Sequence, residues 1–243
     1  MIVTVDGPAG AGKSTVAERV AQRLELPYLN SGLIYRAVTV LVLDRAGGNF
    51  ADRDAVRQTI TDLDLRFVTR EGARRVFAGD LDVTDRLKAP DVTPEVYRIA
   101  NDAEYRSLLV DLQRRFGEPP GVVAEGRDMG SVIFPQADVK LYLDASAEER
   151  ARRTLADLTR AGYEKTLEEV LAETIERDDR DRSRQDAPLR VPEGGVVVET
   201  DALTVDEVVE QIVKHVRDRV SGGGESDEGS TGGGGRRPQR SLC

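Results

Sequence analysis

The fold is decided by one stretch near the start of the chain, Gly7-Pro8-Ala9-Gly10-Ala11-Gly12-Lys13-Ser14-Thr15. Residues 7–14 match the pattern G-x-x-x-x-G-K-[ST], and both neighbours that the pattern requires are present. An apolar run, Ile2–Val5, precedes the loop, and apolar Val16, Val20 and Leu24 follow it at helical spacing. The sequence therefore predicts a strand, a phosphate-binding loop and a helix, the beginning of a P-loop domain.

The chemistry expected of this loop is local. Glycines allow backbone conformations that turn successive N–H groups inward, and the N-terminus of the following helix adds positive potential. Lys13 is expected to reach the β- and γ-phosphates of ATP, and the Ser14 hydroxyl is expected to ligate Mg²⁺. A dinucleotide-binding G-x-G-x-x-G is excluded, because Thr15 stands where the third glycine would be. We therefore assign residues 7–15 to ATP and Ser14 to the metal.

Two classes of protein that use such a loop lack support elsewhere in the chain. A GTPase needs D-x-x-G and a base-reading N-K-x-D. Asp44-Arg45-Ala46-Gly47 fits the first by letter but is placed better as a helix with a glycine stop, and no N-K-x-D occurs. A hydrolytic motor usually carries an acidic pair after a hydrophobic strand, whereas Val122–Ala124 is followed by Glu125-Gly126-Arg127-Asp128. This pattern indicates recognition of a phosphorylated substrate rather than hydrolysis.

Composition and charge limit the binding partners and the location that the chain can have. The chain has 243 residues, of which 39% are hydrophobic and 33% are charged, and its formal net charge is −9. Such an acidic chain is unsuited to general binding of nucleic acid. The single cysteine, Cys243, cannot form an intramolecular disulfide, and neither a signal peptide nor a membrane-spanning run is evident. We expect a cytoplasmic, monomeric protein without nucleic-acid or membrane partners.

The rest of the chain alternates β-branched runs with helical patterns. The expected strands are Ile2–Val5, Pro27–Leu29, Val122–Ala124, Val139–Leu143 and Val196–Glu199. The expected helices are Lys13–Leu24, Gly32–Arg45, Ala147–Ala161, Leu167–Gln185 and Val205–Val220. This alternation predicts an α/β fold, a P-loop core whose parallel sheet is covered by helices on both faces.

One stretch breaks the alternation and predicts short antiparallel strands, at Asp64–Val68, Arg75–Phe77 and Leu81–Val83. We place this small β insertion at about residues 60–105, in the region that binds the acceptor, within a domain that spans residues 1–220. Residues 221–243 are mostly Gly, Ser, Arg and Glu and show no hydrophobic periodicity. Because such a segment cannot bury enough apolar surface to offset its ordering entropy, we expect a disordered tail.

Three further motifs follow strands or lie on helices, where ligands of open α/β sheets gather. They are Ser31-Gly32-Leu33-Ile34-Tyr35-Arg36, Gly126-Arg127-Asp128-Met129-Gly130 and the charge run from Arg177 to Arg184. Each also fits a plainer interpretation: a helix capped by Ser31, a surface turn, and a solvated helix face. Helical spacing puts Arg177, Asp181 and Arg184 on one face with Arg180 beside them, and arginine suits a site that holds several phosphates.

With the phosphate loop, these motifs occur in an order and at spacings that resemble bacterial cytidylate kinase over about residues 1–220. The resemblance implies a nucleoside monophosphate kinase with a mobile lid, ATP and Mg²⁺ on the donor side, CMP and dCMP as acceptors, and UMP as a poor acceptor. It implies acceptor-site roles for Ser31, Tyr35, Arg36, Arg106, Arg127, Asp128, Arg177, Asp181 and Arg184. The segment Asp91–Asn101 matches the family pattern poorly, so no base-reading side chain is placed there.

The predicted reaction is ATP + (d)CMP → ADP + (d)CDP. The acceptor phosphate is already ionised at neutral pH, so no general base is assigned. Lys13, Arg127 and Arg177 are the predicted catalytic residues, which act by positioning and by neutralising charge. Asp128 is assigned to the amino group of cytosine and Asp181 to the sugar hydroxyls.

Two alternatives stay open at this point. One is a P-loop kinase for another small acceptor, such as another nucleotide, dephospho-coenzyme A or shikimate. The arginine-rich motifs favour a phosphorylated acceptor and so disfavour shikimate. The other is a non-enzymatic nucleotide-binding module, which would show no ATP turnover dependent on an added monophosphate. His215, the only histidine, lies in the terminal amphipathic segment and is given no catalytic role.

Overall fold

The computed structural model describes residues 1–45, 47–70 and 73–222. In chain order, its strands and helices are β1 (Ile2–Asp6), α1 (Lys13–Leu24), β2 (Tyr28–Asn30), α2 (Ser31–Arg45), α3 (Arg53–Thr61), β3 (Leu65–Arg70), β4 (Ala73–Ala78), β5 (Leu81–Asp82), α4 (Val96–Ala100), α5 (Ala103–Arg115), β6 (Val122–Glu125), β7 (Val139–Asp144), α6 (Ala147–Arg160), α7 (Leu167–Arg182), β8 (Val196–Glu199) and α8 (Val205–Gly222). A 3₁₀ turn at Arg86–Lys88 and a π-helical turn at Met129–Ile133 complete the description.

The central sheet has five strands in the order β2-β6-β1-β7-β8. Every neighbouring pair in this sheet is parallel. Parallel neighbours cannot be joined by a tight turn, so the chain crosses from one strand to the next through helices. The predicted α/β fold is confirmed.

Helices cover both faces of this sheet. On one face, α1 and α8 pack against β1 and β7, and their buried side chains include Val5, Leu143, Val20 and Ile212. On the other face, α2 and α5 form a second apolar cluster that includes Leu109. Because both faces are covered, the inner strands are apolar along almost their whole length rather than alternating with polar residues.

The predicted β insertion forms a separate three-stranded antiparallel sheet in the order β3-β4-β5. Leu65, Val76 and Ala78 of this small sheet are buried in the same cluster as α2 and α5. Phe67 also meets Phe116 edge to face, with ring centroids 5.9 Å apart. The insertion is therefore attached to the face of the sheet that carries α2, which begins with the Ser31–Arg36 motif.

The structure departs from the sequence predictions in three helices that the sequence analysis did not assign, namely α3, α4 and α5. Two of them carry a sequence signal that could have revealed them. The Asp52 carboxylate accepts the N–H of Ala55 at the start of α3, and the Asp102 carboxylate accepts the N–H groups of Glu104 and Tyr105 at the start of α5. An aspartate at this position is a common helix cap.

The ends of the chain differ in detail from the expectation. Helix α8 continues through Ser221 to Gly222, and residues 223–243 of the expected disordered tail lie outside the described residues. The domain boundary at residue 220 stays a prediction. In the described part of the chain, no helix combines the length and the apolar character needed to cross a bilayer.

Gly7, the first residue of the phosphate loop, is confined by the neighbouring strand. Its φ angle is +145°, and a Cβ atom there would lie 2.1 Å from the carbonyl oxygen of Leu143 in β7. Both the backbone conformation and the space therefore require glycine.

We expect Gly7→Ala to lower the free energy of unfolding by about 3 kcal/mol or more, because the backbone of a central strand has to move. Gly162→Ala is the matched control. Gly162 also has a positive φ angle, +85°, but no atom lies within 4 Å of its added Cβ. It should lose only about 1 kcal/mol. Urea unfolding of both variants measures the difference, and equal losses would contradict this account.

Candidate functional site at the carboxyl edge of the sheet

The site forms where β1 and β6 end side by side. Val5 of β1 is in register with Glu125, the last residue of β6. Asp6 follows Val5 and is fully buried, and its carboxylate accepts the N–H groups of Met129 and Gly130, both at 2.8 Å. The strand that leads into the phosphate loop is therefore tied to the segment that follows Asp128. No role was predicted for Asp6 from the sequence, although it is the last residue before the loop.

A cavity of about 680 Å³ opens over the phosphate loop. Residues 10–15 of the predicted nucleotide-binding set line this cavity, whereas Gly7, Pro8 and Ala9 lie outside its lining. The opposite walls come from α6 and from the segment after β8, and include Arg153, Thr200 and Leu203. These wall residues were not predicted, because their side chains lie more than 130 positions from the loop and follow no motif.

Arg153 of α6 is held firmly in this wall. Its Nε donates to Glu149 at 3.0 Å, and its Nη1 and Nη2 donate to the hydroxyl and carbonyl oxygens of Thr200 at 3.1 and 2.8 Å. The wall therefore presents an ordered cation beside the loop.

Lys13 is buried at the base of the loop, and its Nζ donates to the carbonyl of Pro8 at 2.7 Å. Burial, followed by the nearby cation of Arg127, lowers the pKa of Lys13 to about 7. Glu125 acts in the opposite direction. Its buried carboxylate accepts the hydroxyl of Tyr28 at 2.8 Å. Glu125 is a second strand-end carboxylate without a predicted role, and its place at the end of β6 was the available signal.

The predicted metal ligand, Ser14, lies exposed in the first turn of α1. The Nδ2 atom of Asn30 is 3.5 Å from its hydroxyl oxygen. Within the described ranges, no group of three or more His, Cys, Asp or Glu side chains could hold a metal by itself. Mg²⁺ usually takes only one or two protein ligands and completes its shell with water and phosphate oxygens. An exposed hydroxyl beside a phosphate loop fits that chemistry.

Among the predicted acceptor residues, Arg106 of α5 and Asp128 form a buried ion pair. Arg106 also donates to the carbonyl of Ala100 at 3.2 Å, and its guanidinium lies 5.8 Å from the centre of the Tyr35 ring. Burial raises the pKa of Asp128, although Arg106 opposes this effect. The structure thus brings three predicted residues together and pairs Asp128 with Arg106 rather than with its neighbour in sequence.

Asp181 of α7 holds two of the predicted arginines. It accepts Nε of Arg127 at 2.8 Å and pairs with Arg184 as well. Burial alone would raise the pKa of Asp181, but these two cations lower it. One detail of the prediction is wrong, because helix α7 ends at Arg182, before Arg184. Arg180 lies beside Arg184, since both line a small cavity, but its side chain is exposed and pairs with Glu176.

Arg177 and Arg36 complete the group of cations. In the part of the chain that the structure describes, Arg177 makes no hydrogen bond and no ion pair, and its side chain keeps access to solvent. Loss of hydration beside the surrounding protein and the cation of Arg127 lower its pKa to about 10. Arg36 donates to the carbonyl of Leu87 at 2.8 Å and to the Thr93 hydroxyl at 3.0 Å.

Ser31 is buried, but it does not cap α2 as the simpler interpretation suggested. The cap is Asn30, whose Oδ1 accepts the N–H of Leu33 at 3.3 Å. The Ser31 hydroxyl lies instead against Gly126, where an added Cβ would come within 2.6 Å of it. The first acceptor motif therefore packs directly on the second. His215 lies on α8 and lines a different, small cavity, with Lys140 and Glu193.

Taken together, five cations lie close enough to act on one another's charge: Lys13, Arg36, Arg127, Arg177 and Arg184. Lys13 belongs to the phosphate loop, and Arg127 and Arg184 also lie near Asp128 of the buried Arg106–Asp128 pair. This arrangement can hold the phosphates of two ligands against each other, because the cations offset the repulsion between the two sets of phosphates.

Comparison with known proteins finds relatives that cover most of this chain. A family model described as cytidylate kinase matches residues 3–218. A cytidylate kinase from Carboxydothermus hydrogenoformans is 39% identical over 214 residues, which cover 88% of this chain and 96% of the relative. One from Salmonella arizonae is 38% identical over 220 residues, covering 90% and 96%. Among solved structures, a shikimate kinase from Bacteroides thetaiotaomicron is 13% identical, with a TM-score of 0.47 and coverage of 91% of this chain and 98% of that one.

The buried Asp6 carboxyl makes stability depend on pH. Burial raises the pKa of Asp6 to about 7. Between pH 5 and pH 7 the folded protein therefore keeps a proton that the unfolded chain has released, so stability should fall as pH rises. Relative to Asp6→Asn, which cannot titrate, the wild type should lose on the order of 2 kcal/mol across this range. Asp218→Asn, at an exposed position on α8, is the control.

The measurement is urea unfolding of the three proteins at several pH values between 5 and 8. A difference between the wild type and Asp6→Asn that stays constant across this range would contradict the raised pKa.

Proposed function

Because the chain belongs to the cytidylate kinase family and is a phosphotransferase, we propose that it moves the γ-phosphoryl group of ATP to CMP and dCMP. The phosphate loop, residues 7–15, with Lys13 and Ser14, takes the phosphates of ATP. The acceptor site consists of Ser31, Tyr35, Arg36, Arg106, Arg127, Asp128, Arg177, Asp181 and Arg184. The alternatives of a different small acceptor and of a non-enzymatic module are not favoured.

The observation that carries this proposal is the arginine cluster beside the phosphate loop. Asp181 holds Arg127 and Arg184, while Arg177 keeps its donors free, in the described part of the chain, for a ligand. A kinase whose acceptor is itself a phosphate needs this arrangement, since it must neutralise charge on both substrates.

The chemistry of the step follows from charge rather than from proton transfer. The acceptor phosphate is ionised at neutral pH, so it attacks without a general base. Lys13, Arg127 and Arg177 neutralise the charge that spreads over the transferred group, and they hold the two phosphates in line. Mg²⁺, bound through the Ser14 hydroxyl and the phosphates of ATP, would add further positive charge at the same place.

Asp128 distinguishes the cytosine base of the acceptor from uracil. Its Oδ2 is held by Arg106, and its Oδ1 accepts no hydrogen bond within the described residues. A fixed, free carboxylate oxygen suits the amino group of cytosine, whereas uracil would present an oxygen and be repelled. Asp181 is proposed to meet the sugar hydroxyls in addition to holding the arginines. Cytoplasmic location, the monomeric state and the absence of a nucleic-acid partner remain expectations from the sequence.

The reaction is tested by measuring ADP release with CMP, dCMP, UMP, AMP, GMP and dTMP as acceptors. We expect turnover that depends on an added monophosphate and is fastest with CMP and dCMP. Lys13→Ala should retain less than about a tenth of this turnover, because loss of a contact to the transferred phosphoryl group should cost about 3 kcal/mol. Turnover without any acceptor, or preference for another one, would refute the proposed function.

Asp128→Asn and Arg177→Ala should fail in different ways. Asp128→Asn places a donor where cytosine also donates, so the ratio of kcat/KM for CMP to that for UMP should fall about tenfold or more. Arg177→Ala removes a charge that any monophosphate needs. It should lower kcat/KM for both acceptors and leave their ratio nearly unchanged.

Arg177 has no partner among the described residues, so its truncation leaves no carboxylate unpaired. Asp128→Asn does disturb Arg106, and thermal melting should accompany its kinetics. If Asp128→Asn lowers kcat/KM for CMP and for UMP by the same factor in a protein that is still folded, Asp128 orients Arg106 and does not read the base.

A further inference from the structure

Arg150, in the first turns of α6, joins three parts of the molecule. Its guanidinium is buried. Its Nε donates to the carbonyl of Ala145 at 2.9 Å, and its Nη1 donates to the carbonyl of Ala9 at 3.0 Å. Its two terminal nitrogens also meet both carboxylate oxygens of Asp178, at 3.1 and 2.5 Å. One side chain therefore connects the end of β7, the phosphate loop and α7.

At the phosphate loop, this contact sets the direction of a peptide group. The C=O and the following N–H of a trans peptide point in opposite directions. Because Arg150 holds the Ala9 carbonyl, the N–H of Gly10 points away from the Arg150 guanidinium, and Gly10 lines the cavity over the loop. The loop also lies close to the helix, since a Cβ added to Gly10 would be 3.0 Å from the Arg150 Cβ.

At the other end, the contact sets the position of the arginine-bearing helix. Asp178 is buried and lies between Arg177 and Asp181 on α7. A helix is rigid over a single turn, so fixing Asp178 also fixes where its neighbours project. Asp181 in turn holds Arg127 through an ion pair of 2.8 Å. Neither Arg150 nor Asp178 lines the cavity over the loop.

We propose that Arg150 and Asp178 are positioning residues that couple the two substrate sites, so that phosphate bound at the loop improves binding of the acceptor monophosphate. The proposal rests on the function proposed above. A nucleotide phosphate that orders the Ala9–Gly10 peptide fixes Arg150, Arg150 fixes Asp178, and α7 then presents Arg177 and Asp181 in the geometry that the acceptor needs.

The ion pair is suited to this coupling more than to stability. The desolvation of a buried pair offsets much of its attraction, and apolar residues of similar volume often hold packed elements equally well. What the pair supplies is direction, because the planar guanidinium fixes four hydrogen bonds at defined angles. Replacing both members with apolar residues should therefore keep the elements packed but remove the directional hydrogen bonds, which separates stability from coupling.

The test uses Asp178→Asn and the double variant Arg150→Met/Asp178→Leu. For each, the Kd of CMP is measured by calorimetry with and without a non-hydrolysable ATP analogue and Mg²⁺, and kcat and melting temperature are recorded. In the wild type, the analogue should tighten CMP binding by about fivefold or more. In the variants, this ratio should fall close to one and kcat should drop about tenfold, while the Kd of CMP alone changes by less than about threefold.

Glu210→Gln is the matched control, because it breaks an exposed Arg–Glu pair, with Arg23, and neither residue lines the cavity over the loop. It should keep the wild-type ratio.

Three results would overturn the proposal: wild-type coupling in the folded double variant, no coupling in the wild type, or unfolding of both variants, which would make the pair a structural link. A wild type that shows no CMP-dependent ADP release would instead refute the proposed function itself, so the two failures are distinguishable.

Discussion

Five cationic side chains lie close together in a protein whose formal net charge is −9, and their mutual repulsion is the constraint on which the arrangement of the site depends. Like charges raise one another's free energy most where water is scarce. The effect is visible in Lys13, whose pKa falls to about 7 through burial and the nearby Arg127. Negative charge, from the protein or from a ligand, is needed to keep the cations together.

The protein supplies part of that charge through buried carboxylates, each with a distinct task. Asp181 holds Arg127, Asp128 holds Arg106, and Asp178 holds Arg150 at the back of the phosphate loop. These pairs fix the direction of the guanidinium groups but do not neutralise all of the positive charge at the site. The remaining imbalance favours anionic ligands, and phosphates of two nucleotides would supply the missing charge. The same excess of positive charge would therefore bind the two nucleotides and align their phosphates for transfer.

The parallel sheet makes this crowding possible. Strands that run in the same direction end at the same edge, which places the phosphate loop after β1 next to the acceptor segment after β6. Asp6 then joins the two segments through two backbone N–H groups. The two faces of the sheet carry different parts of the site. The side with α1 and α8 borders the cavity over the loop, and the side with α2, α5 and the small antiparallel sheet carries the Ser31–Arg36 motif and Arg106.

The sequence by itself determined the features that depend on neighbours along the chain. The phosphate loop, the bounds of α1 and β8, the parallel sheet and the antiparallel insertion follow from local motifs and from hydrophobic period, and so does the family resemblance. Only the tertiary structure decided which charges pair. Arg106 and Asp128 are 22 positions apart, Arg150 and Asp178 are 28 apart, and Arg127 and Asp181 are 54 apart. No periodic pattern connects such positions, because their contacts exist only once helices have packed against the sheet and excluded water.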